Sequence, residues 1–292
     1  MTEVVRTRTE LRAALGHAAR PIGLVTTMGW LHDGHRALMR TARAENPTTV
    51  ATIFVNPRQF NEASDYTQYP RNEARDIEIC ADEAVDVVFA PNVEEIYPDG
   101  FDTTVSVGAV AQPLEGAARP GHFDGVATVV AILFDLVGAD RAYFGQKDAQ
   151  QVMVIRQMAR DLAIGTEVIA LPTIRETDGL AMSSRNVHLS PDERQAASVL
   201  HRALEAAHEA WSTGERSADA LRSIMRDILA GEPLADVDYI SVADGRTLRE
   251  LETIDGPALA SLAVRFGSTR LIDNEPLEEP PGTTPPPQVY GG

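Results

Sequence analysis

Short apolar runs alternate with amphipathic stretches through roughly the first 175 residues, and this alternation constrains the fold more than any other feature. Residues 22–26, 49–55, 86–90, 141–145 and 167–171 read as brief, nearly continuous apolar strands. Between them, residues 33–45, 73–83, 125–137 and 149–162 carry helical patterns. A strand that is apolar on both faces needs cover on both sides. The pattern therefore predicts an α/β domain over residues 1–175, with a parallel sheet between helical layers. In such sheets ligands sit beyond the carboxyl ends of the strands.

After Arg185 the pattern changes. Ser190 caps a helix start, with Pro191 in the first helical position and Glu193 completing a capping box. One long helix to about Trp211 is expected, then another over Ala218–Ala230, then strands at 237–243, 258–266 and 269–273. This reads as a smaller α+β domain over residues 176–275. Residues 276–292 include Pro280-Pro281 and Pro285-Pro286-Pro287 and have no periodic apolar face, so a disordered tail is expected there.

Composition sets the class of partner. Hydrophobic residues make up 43% and charged residues 24%, as in a soluble globular protein with a sizeable core. No apolar run is long enough to span a bilayer; the best candidate, 126–137, is broken by Thr128 and Asp135. The N-terminus lacks the apolar core of a secretory signal. The single cysteine, Cys80, permits no internal disulfide and reads as a small buried hydrophobe, consistent with a cytoplasmic chain.

The net charge of −17 repels nucleic acid and anionic membrane. It also repels anionic substrates, so a site for them needs concentrated local positive charge. Lys and Arg together number 26, and all but Lys147 are arginine. Codon bias alone could leave one lysine, but a compact ammonium suits a tight site where a guanidinium does not.

Five segments carry chemistry. The first is Thr27-Met28-Gly29-Trp30-Leu31-His32-Asp33-Gly34-His35, between a strand and a helix. A helix start offers free N–H groups and a positive dipole end, an anion site. His32 and His35 are three apart and can face a phosphate chain from one side. Alternatively, they are two histidines of a polar loop. The second is Tyr143-Phe144-Gly145-Gln146-Lys147-Asp148, a place for an ammonium over phosphates or a surface loop with a charge pair, followed by Gln150 and Gln151, whose amides could hold a substrate's hydroxyl and carboxylate. The third joins Thr173-Ile174-Arg175-Glu176 to Met182-Ser183-Ser184-Arg185, hydroxyls and guanidinium suited to pyrophosphate, or else a solvated interdomain linker. Gly179 between them suits a mobile lid. The fourth, Phe54 to Phe60, offers Asn56 and Gln59 as neutral groups for a small hydroxy acid. The fifth, Arg119-Pro120-Gly121-His122-Phe123, carries a cation and an imidazole, or is a structural turn.

Together these segments resemble the pantothenate synthetase family, within the His-x-Gly-His nucleotidyltransferases related to class I aminoacyl-tRNA synthetases. The resemblance covers about residues 20–274. It implies a Rossmann-like domain plus a small C-terminal domain, a homodimer, and ATP as a substrate escorted by Mg2+. It implies ATP contacts from Met28, Gly29, Trp30, Leu31, His32, Asp33, Gly34 and His35, with His35 the acid. Further ATP contacts fall to Gly145, Gln146, Lys147, Asp148, Ile174, Met182, Ser183, Ser184 and Arg185. Gln59 would touch pantoate and β-alanine, and Gln151 pantoate. Three positions depart from the family pattern: Thr26 stands for proline, Gln146 for glutamate, and Trp30 for a smaller residue.

The reaction so implied joins (R)-pantoate to β-alanine through a pantoyl adenylate, releasing AMP and pyrophosphate. His32, His35, Lys147 and Arg185 would share the charge developing on the phosphates. Asp76 is a candidate magnesium ligand or a helix-surface carboxylate. Two other readings stand beside this one. A nucleotidyltransferase acting on a phosphate ester would need further cations, and a non-catalytic nucleotide-binding module would release no pyrophosphate.

Overall fold

The computed structural model describes residues 1–61 and 63–278. Six strands, β1 (Glu3–Val5), β2 (Ile22–Thr27), β3 (Thr48–Ile53), β4 (Val87–Phe89), β5 (Arg141–Gly145) and β6 (Glu167–Leu171), form one sheet in the order β1-β4-β3-β2-β5-β6. Every pairing in it is parallel. The central strands are buried on both faces; Leu24, Val25, Val50 and Ala51 are all inaccessible. This is the architecture the alternation predicts, and the bounds of β5, β6 and the helix Asp33–Glu45 match it residue for residue. One edge strand, β1, escaped the sequence reading because three residues carry no usable period.

A second sheet, β7 (Asp236–Asp244), β8 (Ala258–Phe266) and β9 (Thr269–Leu277), is antiparallel in the order β7-β8-β9. It packs under the helices Val199–Ser212 and Ala218–Ala230 around its own core of Leu204, Leu221, Met225, Leu262 and Phe266. The expected single helix from Ser190 to Trp211 is two, Pro191–Ala196 and Val199–Ser212, because the Leu200 N–H turns tightly back to the Ala197 carbonyl at 3.2 Å. β9 outruns its expected end at residue 273. Pro276 breaks the apolar pattern but is tolerated on an edge strand, opposite Leu259. Pro276 and Leu277 thus belong to the sheet rather than to a tail, and Leu277 is fully buried. Residues 279–292 lie outside the described residues. Among the described residues no helix is long and apolar enough to cross a membrane.

The two units meet through polar contacts as well as apolar ones. Leu248 and Leu259 join the core of the large sheet. Arg270 of β9 forms a two-armed ion pair with Glu115, at 2.8 Å on each arm. Arg175 does the same with Asp273, at 2.6 and 3.2 Å.

Candidate active site

Beyond the carboxyl ends of β2, β3, β5 and β6 lies a cavity of about 240 Å³. It opens onto a larger one of about 1010 Å³ between the two units. Lys147, Asp148, Gln151, Arg119, His122 and Arg185 line both. Asp148 is the one carboxylate on the inner wall among the described residues, against the cations Lys147, Arg119 and Arg185. A chain of net charge −17 thus concentrates positive charge in this cavity.

The histidine loop is built by local chemistry. Gly29 and Trp30 both take positive φ, 80° and 52°. Under this turn sits Asp76, buried at 1% exposure, which accepts the N–H groups of Trp30 at 2.7 Å and Leu31 at 2.8 Å. A Cβ on Gly29 would come within 2.9 Å of that carboxylate. Asp76 is therefore not a surface carboxylate: each of its oxygens accepts a backbone N–H of the loop, and its side chain does not line the cavity. His32 then caps the helix Asp33–Glu45, its Nδ1 accepting from Gly34 N at 3.2 Å. The Nδ1 of His35 accepts from His32 N at 3.3 Å. The pair forms a capping box with imidazoles where serine and glutamate are usual.

These two bonds set the tautomers. Each Nδ1 is an acceptor, so each neutral ring carries its proton on Nε2 as a donor. Burial, then the Lys147 charge, lowers the His32 pKa to about 4. Burial, then His32, lowers that of His35 to about 3. Both are neutral near pH 7.

The lysine loop is held differently. Neither Gly145 nor Asp148 makes a side-chain cap at this helix start. Lys147 lies 3.5 Å from Asp148. Burial raises the Asp148 carboxyl, but the Lys147 and Arg185 charges together hold it below its ordinary range. Across the cavity Gln59 is fixed on every side: its Nε2 donates to the Met28 sulfur at 3.0 Å, and its Oε1 accepts from Asn56 at 3.0 Å. Its carbonyl accepts from His122 Nδ1 at 2.8 Å and Arg119 at 3.3 Å. Gly125 permits this; a Cβ there would lie 2.2 Å from the Arg58 carbonyl. His122 is thus the opposite tautomer, with Nε2 facing Arg119 at 3.2 Å. Burial, then Arg119, takes its pKa down to about 4. Arg119 makes no ion pair among the described residues, and burial lowers its pKa to about 10.

The cavity gathers most of the candidates: Met28, His32, Gly34, His35, Gln59, Gly145, Lys147, Asp148, Gln151, Ile174 and the run Met182 to Arg185 all line it. Gly29, Trp30, Leu31, Asp33 and Gln146 do not. Leu31 is a core side chain, Asp33 points to solvent beside Arg36, and the Trp30 ring lies under the Arg75 guanidinium, 5.6 Å away. Gln146 bonds to Asn274 of β9. Gln150 is structural: its amide donates to the carbonyls of Val110 and Pro113 and accepts from Glu115 N. Arg175 is bound to Asp273, which leaves Arg185 as the guanidinium of the third segment with no hydrogen bond or close ion pair among the described residues, its charge acting on Asp148. Tyr69, which lines both cavities and hydrogen-bonds Ser184, had no sequence signal.

The family profile of pantoate-beta-alanine ligase matches residues 3–276. The chain belongs to this family. It is 58% identical over 275 residues to a pantothenate synthetase of Roseiflexus sp. (strain RS-1), covering 94% of this chain and 99% of that one. A crystal structure of pantothenate synthetase from Thermus thermophilus superposes with a TM-score of 0.91 at 48% identity, covering 95% of this chain and all of that one. A pantoate-beta-alanine ligase from Francisella tularensis, solved with β-γ ATP and β-alanine, gives 0.79 at 33% identity, covering 96% and 100%.

Proposed function

We propose that this chain carries out the reaction its family is named for, ATP-driven condensation of (R)-pantoate with β-alanine. The observation that carries the reading is the convergence of two Nε2–H donors, an ammonium and the Arg185 guanidinium on a cavity that the neutral amides Gln59 and Gln151 also line.

In the first step a pantoate carboxylate oxygen attacks the α-phosphorus of ATP, the bond to the β-phosphate oxygen breaks, and pyrophosphate leaves. His32 and His35 stabilise the departing charge as neutral donors from Nε2, with Lys147, Arg185 and the Ser183 and Ser184 hydroxyls completing the cradle. Neutral donors fit better than an imidazolium acid, because protonation would cost each Nδ1 its backbone bond and place a charge beside Lys147. Gln59 and Gln151 hold pantoate. In the second step the β-alanine amine attacks the acyl carbon and AMP leaves. The β-alanine carboxylate pairs with Arg119, a buried cation otherwise lacking an anion. Gln59 lies between the two acids.

A magnesium ion carried with the triphosphate would need few protein ligands, since such an ion usually keeps several of its waters. Among the described residues no cluster of histidine, cysteine and carboxylates could cage a metal alone; Asp148 is the carboxylate that would face it. Bound there, the ion would neutralise phosphate charge. A homodimer, as the family resemblance implies, and the cytoplasmic residence expected from the lone cysteine complete the reading.

The test is isotope exchange. The enzyme should exchange labelled pyrophosphate into ATP with pantoate present and β-alanine absent, and not without pantoate. His35→Ala should depress the exchange strongly, and Gln59→Ala should weaken pantoate use with ATP binding intact. Exchange with a sugar phosphate but not pantoate would indicate a phosphate-ester transferase. Tight ATP binding with no exchange on any acid would indicate a non-catalytic module.

A further inference from the structure

Asn274 sits on β9, in the small unit, and is 4% exposed. Its amide nitrogen donates to the Gln146 carbonyl at 3.0 Å and to the Lys147 carbonyl at 2.8 Å. Its amide oxygen accepts from Gln146 Nε2 at 3.2 Å. Three bonds from one side chain thus grip two successive residues of the lysine loop, 127 and 128 positions away in the chain. That loop has no cap of its own. The next residue back, Asp273, grips Arg175 on the segment that leads to Met182–Arg185. One edge strand of the small unit therefore holds both cation-bearing loops.

We infer that Asn274 is a positioning residue for the reaction: it sets the backbone from which Lys147 reaches the phosphates, and so makes lysine placement depend on the small unit. An asparagine suits this place because its amide presents two donors and one acceptor in one plane, matching two carbonyls and one amide N–H. Aspartate has the same shape but no donors, and its charge would face two carbonyl oxygens and draw the lysine ammonium back. Gln146 in the position where the family pattern has glutamate fits the same geometry, since a neutral amide donates to the Asn274 oxygen where a carboxylate could not.

The inference rests on Lys147 acting on the phosphates, and a double-mutant cycle separates the two claims. Pantoate-dependent exchange is measured for wild type, Asn274→Ala, Lys147→Ala and the double mutant, each normalised to its folded fraction. Asn274→Asp is run in parallel as the variant that keeps the side-chain volume. Displacement of a catalytic group by about an ångström costs on the order of 10²-fold. Either Asn274 change should lower turnover by roughly 10-fold or more with Lys147 present, lowering kcat and kcat/KM together. In the Lys147→Ala background the same change should cost less than about twofold, since there is no ammonium left to misplace. An equal loss in both backgrounds overturns the inference, as does wild-type turnover in Asn274→Asp. Full activity of Lys147→Ala alone would instead overturn the role of the lysine.

Discussion

The two strand-to-helix loops facing the inner cavity are stabilised from opposite directions. The histidine loop is held from within the large unit, by the buried Asp76 beneath its turn and by its own imidazoles capping the next helix. The lysine loop lacks a side-chain cap and is gripped by Asn274 from the small unit. The first is therefore set once the large sheet has folded; the second is set only when the small unit is docked. A site split this way can have its donors waiting while its strongest charge is placed by the arrangement of the two units.

The sharpest way to break this contrast is to delete each loop's key group and compare stability with turnover. Lys147→Ala should lower turnover by about 10²–10³ while leaving the melting temperature nearly unchanged, since the charge-stabilising donor is lost together with a single ion pair, to the half-exposed Asp148. Lys147→Arg should also be poor. Asp76→Ala should lower both. It leaves the N–H groups of Trp30 and Leu31 buried without acceptors, at about 1–3 kcal/mol each, so the melting temperature should fall by several degrees. If Asp76→Ala melts like wild type, the histidine loop is not held from below.

The difference between the loops also explains how far the site could be read from the chain. His32, Gly34, His35 and Lys147 announce themselves because their spacing and their place between strand and helix are local. The far ends of their supports are not. Asp76 reads as one carboxylate on an amphipathic helix, and only the folded chain brings it under Trp30, 46 residues away. Asn274 is one polar residue in a strand whose pattern Pro276 interrupts. Gln150 and Gln151 are indistinguishable as neighbours in sequence, yet a helix turns them to different sides, one to the cavity and one to three backbone groups. The same holds for Trp30, whose left-handed backbone sends its ring to Arg75 instead of the cavity. The parallel sheet was legible because each central strand is a short, nearly continuous apolar run set between helical patterns.

Acid should probe the histidine loop, and His122 with it, at smaller cost. His32, His35 and His122 have folded pKa values lowered to about 4, 3 and 4, against an ordinary 6.5. Between about pH 6.5 and those values the unfolded chain binds more protons than the folded one, so stability rises with pH and is lost as pH falls through that window. Melting temperature should decline from pH 6.5 to pH 5, above the range where unfolded carboxylates titrate. His35→Asn should flatten that decline. A melting temperature constant across the window would show that these imidazoles are not kept neutral by the fold.

The smallest effect should come from removing residues 279–292, and the contrast with a slightly longer truncation marks where support for the lysine loop stops. Leu277 is fully buried in the small core and is the last residue of β9. Residues 279–292 are rich in proline and glycine with few core-forming side chains. Truncation after Glu278 should therefore leave both the melting temperature and pantoate-dependent exchange at wild-type levels. Truncation after Glu275 removes Pro276 and Leu277 and shortens the strand beside Asn274. It should cost about 2–5 kcal/mol for the lost leucine, as for other buried leucine deletions, and lower turnover through Lys147. Were the longer truncation to behave like the shorter, β9 would not depend on its last two residues to hold Asn274 in place. A loss in the shorter truncation would mean that residues beyond 278 contribute a contact of their own.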